Sequence, residues 1–450
     1  MIANSNSNSN TGTASAWPHA RLATIGAVLV AMTAAGPSLH LAWGGWALML
    51  IFAVGGAGAL LASQMEDTDQ RGALIVILIG AVAMRLALLF VEPYLSTDIY
   101  RYVWDGRVQA AGINPYRYVP SAPELAQLRD AAIFPNINRA DYAVTIYPPT
   151  AQSIFFAVTR FGESVTVMKL GLIAFEAAMV AALLALLKRQ GSPTARIAAY
   201  AWHPLPVWEI AGSGHVDAAM CALLMVGLLL FVNGRTLLAG IVATLGALVK
   251  PTALLVLPVF WRPWNWRLPL VVGLTALFAY LPYLSVGRGV FGYLWGYVEE
   301  EGLASGRGIN VLWLMERFTG PMPHSGAIYA IVAAAFLLAL SVVVALRKDR
   351  SEQASINCLN WLLISFLIVA SPHYPWYFLV LVPLLVLGQS ATAWILTLAC
   401  PLLYDSVPDA WWPEHDIRIT LFILATLGAL AYDAWNLRRK PRSPTLGETA

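Results

Sequence analysis

Residues 72–90 read GALIVILIGAVAMRLALLF, apolar throughout except for Arg85. They run directly into Val91-Glu92-Pro93-Tyr94-Leu95-Ser96-Thr97-Asp98-Ile99-Tyr100-Arg101-Tyr102-Val103-Trp104-Asp105-Gly106-Arg107. A span of about twenty apolar residues crosses a bilayer as a helix. The first stretch is therefore a membrane span, and the second leaves the membrane with Asp98 a few residues beyond its surface. A polar loop rich in Tyr, Pro and Arg follows, from residue 94 to 164, before apolar spans resume.

The whole chain fits that opening. It has 450 residues, 58% hydrophobic and 12% charged, with a mean hydropathy of +0.65. Soluble domains carry about 25% charged residues, so most of this surface faces lipid. A net charge of +3 points to no nucleic-acid partner. Cys221, Cys358 and Cys400 lie in or beside apolar runs without metal-ligand spacing and read as packing residues. No metal and no cofactor is expected. Met1–Trp17 is low-complexity and reads as a disordered tail. The short apolar run Leu22–Gly36 resembles a signal-peptide core, but no basic cluster precedes it, so a first span is preferred.

Windows of apolar residues give about fourteen candidate spans, near 20–38, 43–63, 72–93, 165–187, 193–209, 216–232, 236–249, 252–261, 268–284, 326–346, 356–371, 374–388, 390–404 and 417–436. The Pro-interrupted pairs at 236–261 and 374–404 read as broken or re-entrant helices, tolerated where they line a cavity. The expected fold is all-α and polytopic, with 12–14 transmembrane helices between residues 21 and 437, and short tails at 1–20 and 438–450. Basic residues near span ends set orientation. Lys188-Arg189, Arg235, Arg262 with Arg267, Arg347-Lys348 with Arg350, and Arg438-Arg439-Lys440 with Arg442 fall on one side. That side is expected to be the cytoplasm, with both termini there, in a bacterial inner membrane. Loops 94–164 and 285–325 are then extracytoplasmic.

Those outer loops hold the polar residues that chemistry needs. Asp98, Arg101, Trp104/Asp105 and Val108 share one face of a short helix. Gly112-Ile113-Asn114-Pro115-Tyr116 ends it. Thr145-Ile146-Tyr147-Pro148-Pro149-Thr150 is a rigid turn leading into an amphipathic, interfacial stretch, Ala151–Arg160. Asp98 is readable as a helix cap, as a partner of Arg101, or as a general base. The base reading is preferred, since a carboxylate partly stripped of water at a membrane rim accepts protons more readily. Asp105 competes for the role but reads as a local ion pair with Arg107. Gly214-His215-Val216-Asp217 opens a span from the outer side, and His215 and Asp217 can orient hydroxyls or a phosphate; Glu209 ranks below them. Lys250, before Pro251, is a cation at a depth where it needs a partner, and a lipid phosphate is a natural one. In Ser371-Pro372-His373-Tyr374-Pro375-Trp376-Tyr377, His373 suits a phosphate oxygen and Tyr374 a sugar or prenyl face. Arg288 and Arg307 in the second loop suit bidentate phosphate contacts. His324, Asp405, Asp409, Glu414, His415 and Asp416 read as surface. No Gly-rich phosphate loop stands on the cytoplasmic side.

Taken in order, Asp98-Ile99-Tyr100-Arg101-Tyr102, Gly112-Ile113-Asn114-Pro115-Tyr116, Tyr147-Pro148-Pro149, Gly214-His215-Val216-Asp217-Ala218, Leu248-Val249-Lys250-Pro251 and Ser371–Tyr377 resemble the GT-C superfamily of polytopic glycosyltransferases. The resemblance is strongest to glycosyltransferase family 87 and related polyprenol-phosphomannose-dependent mannosyltransferases. It implies an inverting hexosyltransferase, mannose being the leading sugar, with a polyprenyl-phosphate sugar as donor and an extracytoplasmic glycan or glycolipid as acceptor. The acid in the first loop, the expected base, matches Asp98. His373 matches the position that engages the donor phosphate. Many of these enzymes carry paired acids in the first loop; here Ile99 follows Asp98, which disfavours a metal-dependent version. A lipid-linked glycan flippase or transporter is the main rival, followed by a glycan ligase or polymerase and a membrane scaffold. The intramembrane charges are few for a transporter: Arg85, Glu176 and Lys250.

Overall fold

The computed structural model describes residues 19–65, 69–303, 305–320, 322–388, 390–404 and 413–439. The Ser/Asn-rich tail up to residue 18, Asp405, Asp409, Lys440 and Arg442 lie outside the described residues. Every regular element among the described residues is helical. Among the described residues, seven helices are long and apolar enough to cross a membrane, and five shorter apolar segments accompany them. The protein is an all-α polytopic membrane protein.

The first two expected spans form one element, α1 (Ala20–Ser63), broken at Gly44 with φ 54° and ψ −132°. Only glycine adopts that conformation without strain. The two halves double back on one another: a Cβ placed at Gly58 lies 3.0 Å from Leu29. Against them packs α2 (Gln70–Leu89). Glycines make this contact close, as is usual where lipid offers no competing hydrophobic drive. Trp202 fits between Gly26 and Gly80, where an added Cβ would meet its ring at 3.1 and 3.0 Å. Its indole N–H donates to the Ile77 carbonyl at 2.8 Å.

The expected span 193–209 is corrected. It is a chain of short turns, Thr194–Ile197, Ala198–Ala201 and Pro204–Pro206, followed by a π-helical turn Val207–Gly212. Pro204 and Pro206 lack the N–H groups that a continuous helix requires. The breaks anticipated at 236–261 and 374–404 are present. There the 3-10 turns Pro251–Val256, Pro375–Leu381 and Cys400–Leu403 each carry proline in their first turn.

Helix α5 (Val165–Gln190) starts with the Ser164 hydroxyl accepting from Val167 N–H and stops at Gly191, φ 62°. It packs on α6 (Asp217–Val232), which packs on α7 (Thr236–Ala247). The basic residues gather at one end of these helices. Arg189 bonds Glu352 at 3.1 Å and Asn233 at 2.9 Å, and Arg347 and Arg350 donate to the carbonyls of Val259 and Trp261. Twenty residues of α5 separate Arg189 from Lys169, about 30 Å at 1.5 Å per residue. Lys169 donates to the Leu88 and Val91 carbonyls at 3.3 and 2.7 Å, just before Asp98. Asp98 and the arginine cluster thus occupy opposite ends of the bundle.

At the Asp98 end the first loop is built on α3 (Asp98–Ala110) and α4 (Pro149–Thr159). The helices touch closely at Gly106, where a Cβ would lie 2.5 Å from the Phe155 carbonyl. Tyr102 stacks on Phe155 with centroids 4.5 Å apart. Helix α4 corresponds to the expected amphipathic stretch, and it buries Ala151, Gln152, Ile154, Phe155 and Thr159.

The second loop folds over the first. Asn114 donates to the Tyr283 carbonyl and Ser285 hydroxyl, both at 3.0 Å. Tyr293 N–H donates to the Thr145 carbonyl at 3.2 Å. Arg139 pairs with Glu300 at 2.6 Å.

Candidate active site

Three segments distant in sequence converge beside Asp98. The first residue of α3 is Asp98, whose backbone N–H donates to the Ser96 hydroxyl at 3.3 Å. One carboxylate oxygen, Oδ1, accepts from the Asn138 side-chain amide at 3.0 Å. Its side chain is 21% exposed, whereas those of Asp217 and Glu209 are 1% and 0% exposed. Asp98 is therefore the most exposed of these three carboxylates.

Behind it stand Tyr102 and Tyr147, rings edge-to-face at 4.9 Å. Burial first, and the negative charge of Asp98 second, push both phenols well above their ordinary value. They stay protonated and can act as hydrogen-bond donors. Tyr147 is held by its turn. Its carbonyl accepts the Tyr116 hydroxyl at 2.6 Å, and the next residues donate Thr150 N–H and Ala151 N–H to Leu248 O at 3.0 and 3.2 Å. Those bonds bring the Tyr-Pro-Pro turn against the segment that carries Lys250.

Lys250 reaches Asp217 Oδ2 at 2.6 Å, and its ammonium lies 4.7 Å from the Tyr377 ring centroid. An ammonium has three donors, and one is committed to Asp217. Tyr377 in turn shares a 2.7 Å hydrogen bond with Tyr297 of the second loop. His373 bridges to that loop as well, through Glu301 at 2.8 Å and the Gly308 carbonyl at 2.7 Å. Tyr374 stacks on Trp376 at 4.5 Å, and Trp376 stacks on His215 at 4.1 Å. Burial, then the Glu301 charge, pushes the Tyr374 phenol up to about 12.

Asp98, Tyr147, Lys250, Asp217, His215, Tyr374 and His373 thus belong to one connected neighbourhood. Arg101 does not turn toward Asp98. It is buried and locked on Asp105 at 2.9 Å and on the Ala143 carbonyl at 3.1 Å. This corrects the expected Asp105–Arg107 pair, because one helical turn separates Arg101 from Asp105 and aligns them. Arg107 instead bonds Asp130 and Glu163 at 2.7 and 2.8 Å. Gln152 fills the remaining Asp105 oxygen at 2.9 Å, so Asp105 is a structural acid. Arg288 and Arg307 are exposed on the second loop. Among the described residues no group of three or more His, Cys, Asp or Glu side chains is placed to hold a metal ion.

The sequence reading passed over Asn138 and Arg139. Arg139 sits at φ 56°, and its guanidinium lies 5.7 Å from the Tyr297 ring centroid. Both residues lie in irregular loop, where no periodicity marks them; Asn-Arg before a turn is the faint signal available. Away from this neighbourhood, a cavity of about 490 Å³ lined by Arg189, Arg262, Arg350 and Glu352 belongs to the opposite end of the bundle.

Residues 8–266 match the family described as alpha-(1->6)-mannopyranosyltransferase, N-terminal domain. The chain is also similar to alpha-(1->6)-mannopyranosyltransferase A of Mycobacterium tuberculosis. The two are 23% identical over 395 residues, covering 80% of this chain and 70% of the relative. No solved structure matches.

Proposed function

Because this chain belongs to the alpha-(1->6)-mannopyranosyltransferase family, and is thus a membrane glycosyltransferase of the mannosyltransferase type, we propose that it moves mannose from a polyprenyl-phosphate donor to an extracytoplasmic glycan or glycolipid. The observation that carries this reading is the contrast among the acids of the site. Asp98 retains an accessible oxygen, while Asp105, Asp217 and Glu209 are buried and each has a partner.

In the proposed reaction the acceptor hydroxyl gives its proton to Asp98 as its oxygen bonds the anomeric carbon. The bond from that carbon to the phosphate oxygen breaks, and the electron pair leaves with the phosphate. One displacement inverts the anomeric centre. An alpha product, as in the relative's name, therefore requires a beta-linked donor. Two N–H groups of Lys250 are not used by Asp217 and can serve the departing phosphate as cationic donors. Tyr374 offers a sugar face on the outer side of this set, while His373, with its two ring nitrogens held by Glu301 and the Gly308 carbonyl, fixes the second loop over it rather than binding phosphate; the exposed Arg288 and Arg307 of that loop are the guanidinium candidates for a phosphate. His215 and Asp217 support this set from beneath rather than by touching substrate. The arginine cluster at the far end of α5 supports a cytoplasmic placement of that end, with the termini on the same side and the site outside.

A donor comparison tests this. Purified protein in proteoliposomes receives radiolabelled mannose either as polyprenyl-phosphate mannose or as a nucleotide sugar, with a mannoside acceptor. Label is expected in the acceptor only from the lipid donor. Transfer from the nucleotide sugar alone overturns the lipid-donor reading, and movement of intact donor across the membrane without transfer favours the flippase rival.

A further inference from the structure

Four buried polar atoms without a hydrogen-bond partner fall between residues 208 and 215: Trp208 Nε1, Glu209 Oε2, and both ring nitrogens of His215. Native interiors leave few such groups, because each costs about 1–3 kcal/mol. Their concentration in one segment, directly behind Asp98, calls for a role.

The local backbone is built to put them there. A π-helical turn, Val207–Gly212, carries Glu209 inward; such turns recur at functional sites. Gly214 follows at φ 76°, and a Cβ there would lie 2.2 Å from Ile99 of α3. Only glycine permits both the conformation and the contact. His215 is thereby pressed toward α3, with its ring fixed flat on Trp376. Its Nδ1 lies 4.0 Å from Asp98 Oδ2. On the other side, Nε2 lies 3.3 Å from Glu209 Oε2, off the line needed for a good hydrogen bond. Glu209 Oε1 accepts the Tyr404 hydroxyl. Both His215 and Glu209 have side chains with 0% exposure. A chain of exchangeable groups therefore runs from the core, through Tyr404, Glu209 and His215, to the carboxylate of Asp98.

We propose that Glu209 and His215 form a buried proton relay that takes the transferred proton from Asp98 while product is still bound and hands it back for release to water once product has left. The inference rests on the reading of Asp98 as the base. During transfer the acceptor O–H breaks and its proton joins Asp98 Oδ2, the oxygen not held by Asn138. That proton then passes to His215 Nδ1, for which the gap must close by about 1 Å to reach hydrogen-bond distance. Glu209 holds the proton on Nε2 and balances the imidazolium. When product leaves, the proton returns through Asp98 to water. His215 and Glu209 are positioning residues: neither touches substrate. The titratable groups around the pair are Asp98 on α3, Lys169 on α5, Tyr94 and Cys400 near Glu209, Tyr404 on it, and Asp217 beyond His215.

The test is the pH dependence of mannosyl transfer by full-length protein in proteoliposomes. Glu209→Gln keeps the shape and removes the charge. It is expected to lower kcat on the order of tenfold, leave both KM values within about twofold, and move the acid limb of the profile to lower pH. Tyr404→Phe removes a hydrogen-bond donor from Glu209 and leaves its negative charge less shielded toward His215, so the limb is expected to move the other way. An acid limb that stays in place in both variants overturns the relay, whether or not kcat falls, since a purely structural role lowers activity without displacing the limb. Should Glu209→Gln not fold, Tyr404→Phe decides alone. Asp98→Asn run in parallel separates the two readings. If it is inactive while the limbs stay fixed, only the relay fails; if it is active, the base assignment itself fails.

Discussion

Two of the buried charged clusters, around Glu176 and around Asp98, are finished differently. Around Glu176 every oxygen is satisfied: Arg85 donates at 2.7 and 3.3 Å, and Tyr200 donates at 2.8 Å. The spare Arg85 donor goes to the Ala201 carbonyl. Around Asp98 the bonding is incomplete. One carboxylate oxygen is held by Asn138, the other faces an imidazole at 4.0 Å, and three more buried polar atoms of Glu209 and His215 lack a hydrogen bond. Both sets of charges are costly to remove from water. Saturation turns that cost into a fixed strut between α2 and α5. Incompleteness leaves the open bonding capacity that the proposed reaction would use for a substrate's proton and phosphate.

This contrast is sharpest where stability and activity can be separated. The largest structural effect is expected for Glu176→Ala, which strands Arg85 and should destabilise the protein by about 3–5 kcal/mol. Thermal unfolding in detergent checks it; a wild-type midpoint would contradict the strut. Lys250→Met is next. It leaves Asp217 buried and unpaired, which should cost about 2–4 kcal/mol and also raise the donor KM. The double change Lys250→Met with Asp217→Asn should recover the stability but not the donor affinity. Recovery of both would remove Lys250 from the site. Tyr200→Phe takes away one charge-assisted hydrogen bond and should cost about 1.5–3 kcal/mol, with transfer by the folded fraction unchanged.

The smallest effect concerns the first loop. Burial raises the Asp130 carboxyl, but the Arg107 guanidinium and the N–H groups of Ile133 and Phe134 outweigh it and bring it down to about 2. A carboxyl lowered on folding stabilises above its unfolded value, near 4, and loses that contribution as pH falls toward 2. Asp130 is 36% exposed on its side chain, so screening keeps the effect slight. The protection factors of amides 130–137, that is, their exchange relative to the intrinsic rate at each pH, should therefore stay constant above pH 5 and fall below pH 4. Faster exchange on raising the pH beyond the intrinsic rate would contradict the sign.

What the amino-acid pattern revealed, and what it hid, follows from range. The exit of the span before Asp98 is local, and so are the proline breaks at Pro251 and Pro375; each was legible. The link between Arg101 and Asp105 is also local, yet the nearby Arg107 masks it, because neighbouring charges suggest a pair as readily as helical spacing does. Asn138 meets Asp98 across 40 residues of irregular loop, and Tyr404 meets Glu209 across 195. Neither contact leaves a periodic trace, so only the folded chain exposes them. Glu209 was visible but ranked below His215 and Asp217, since a π-helical turn cannot be foreseen from Trp208-Glu209-Ile210.

The most direct measurement compares wild-type protein with Asp98→Asn in proteoliposomes supplied with labelled polyprenyl-phosphate mannose and a mannoside acceptor. The substitution conserves shape and the contact with Asn138 but removes the proton-accepting charge. Transfer is expected to fall by about 10²–10⁴-fold, with helical content and unfolding midpoint unchanged. Wild-type turnover by the folded variant would contradict the assignment of Asp98 as the base.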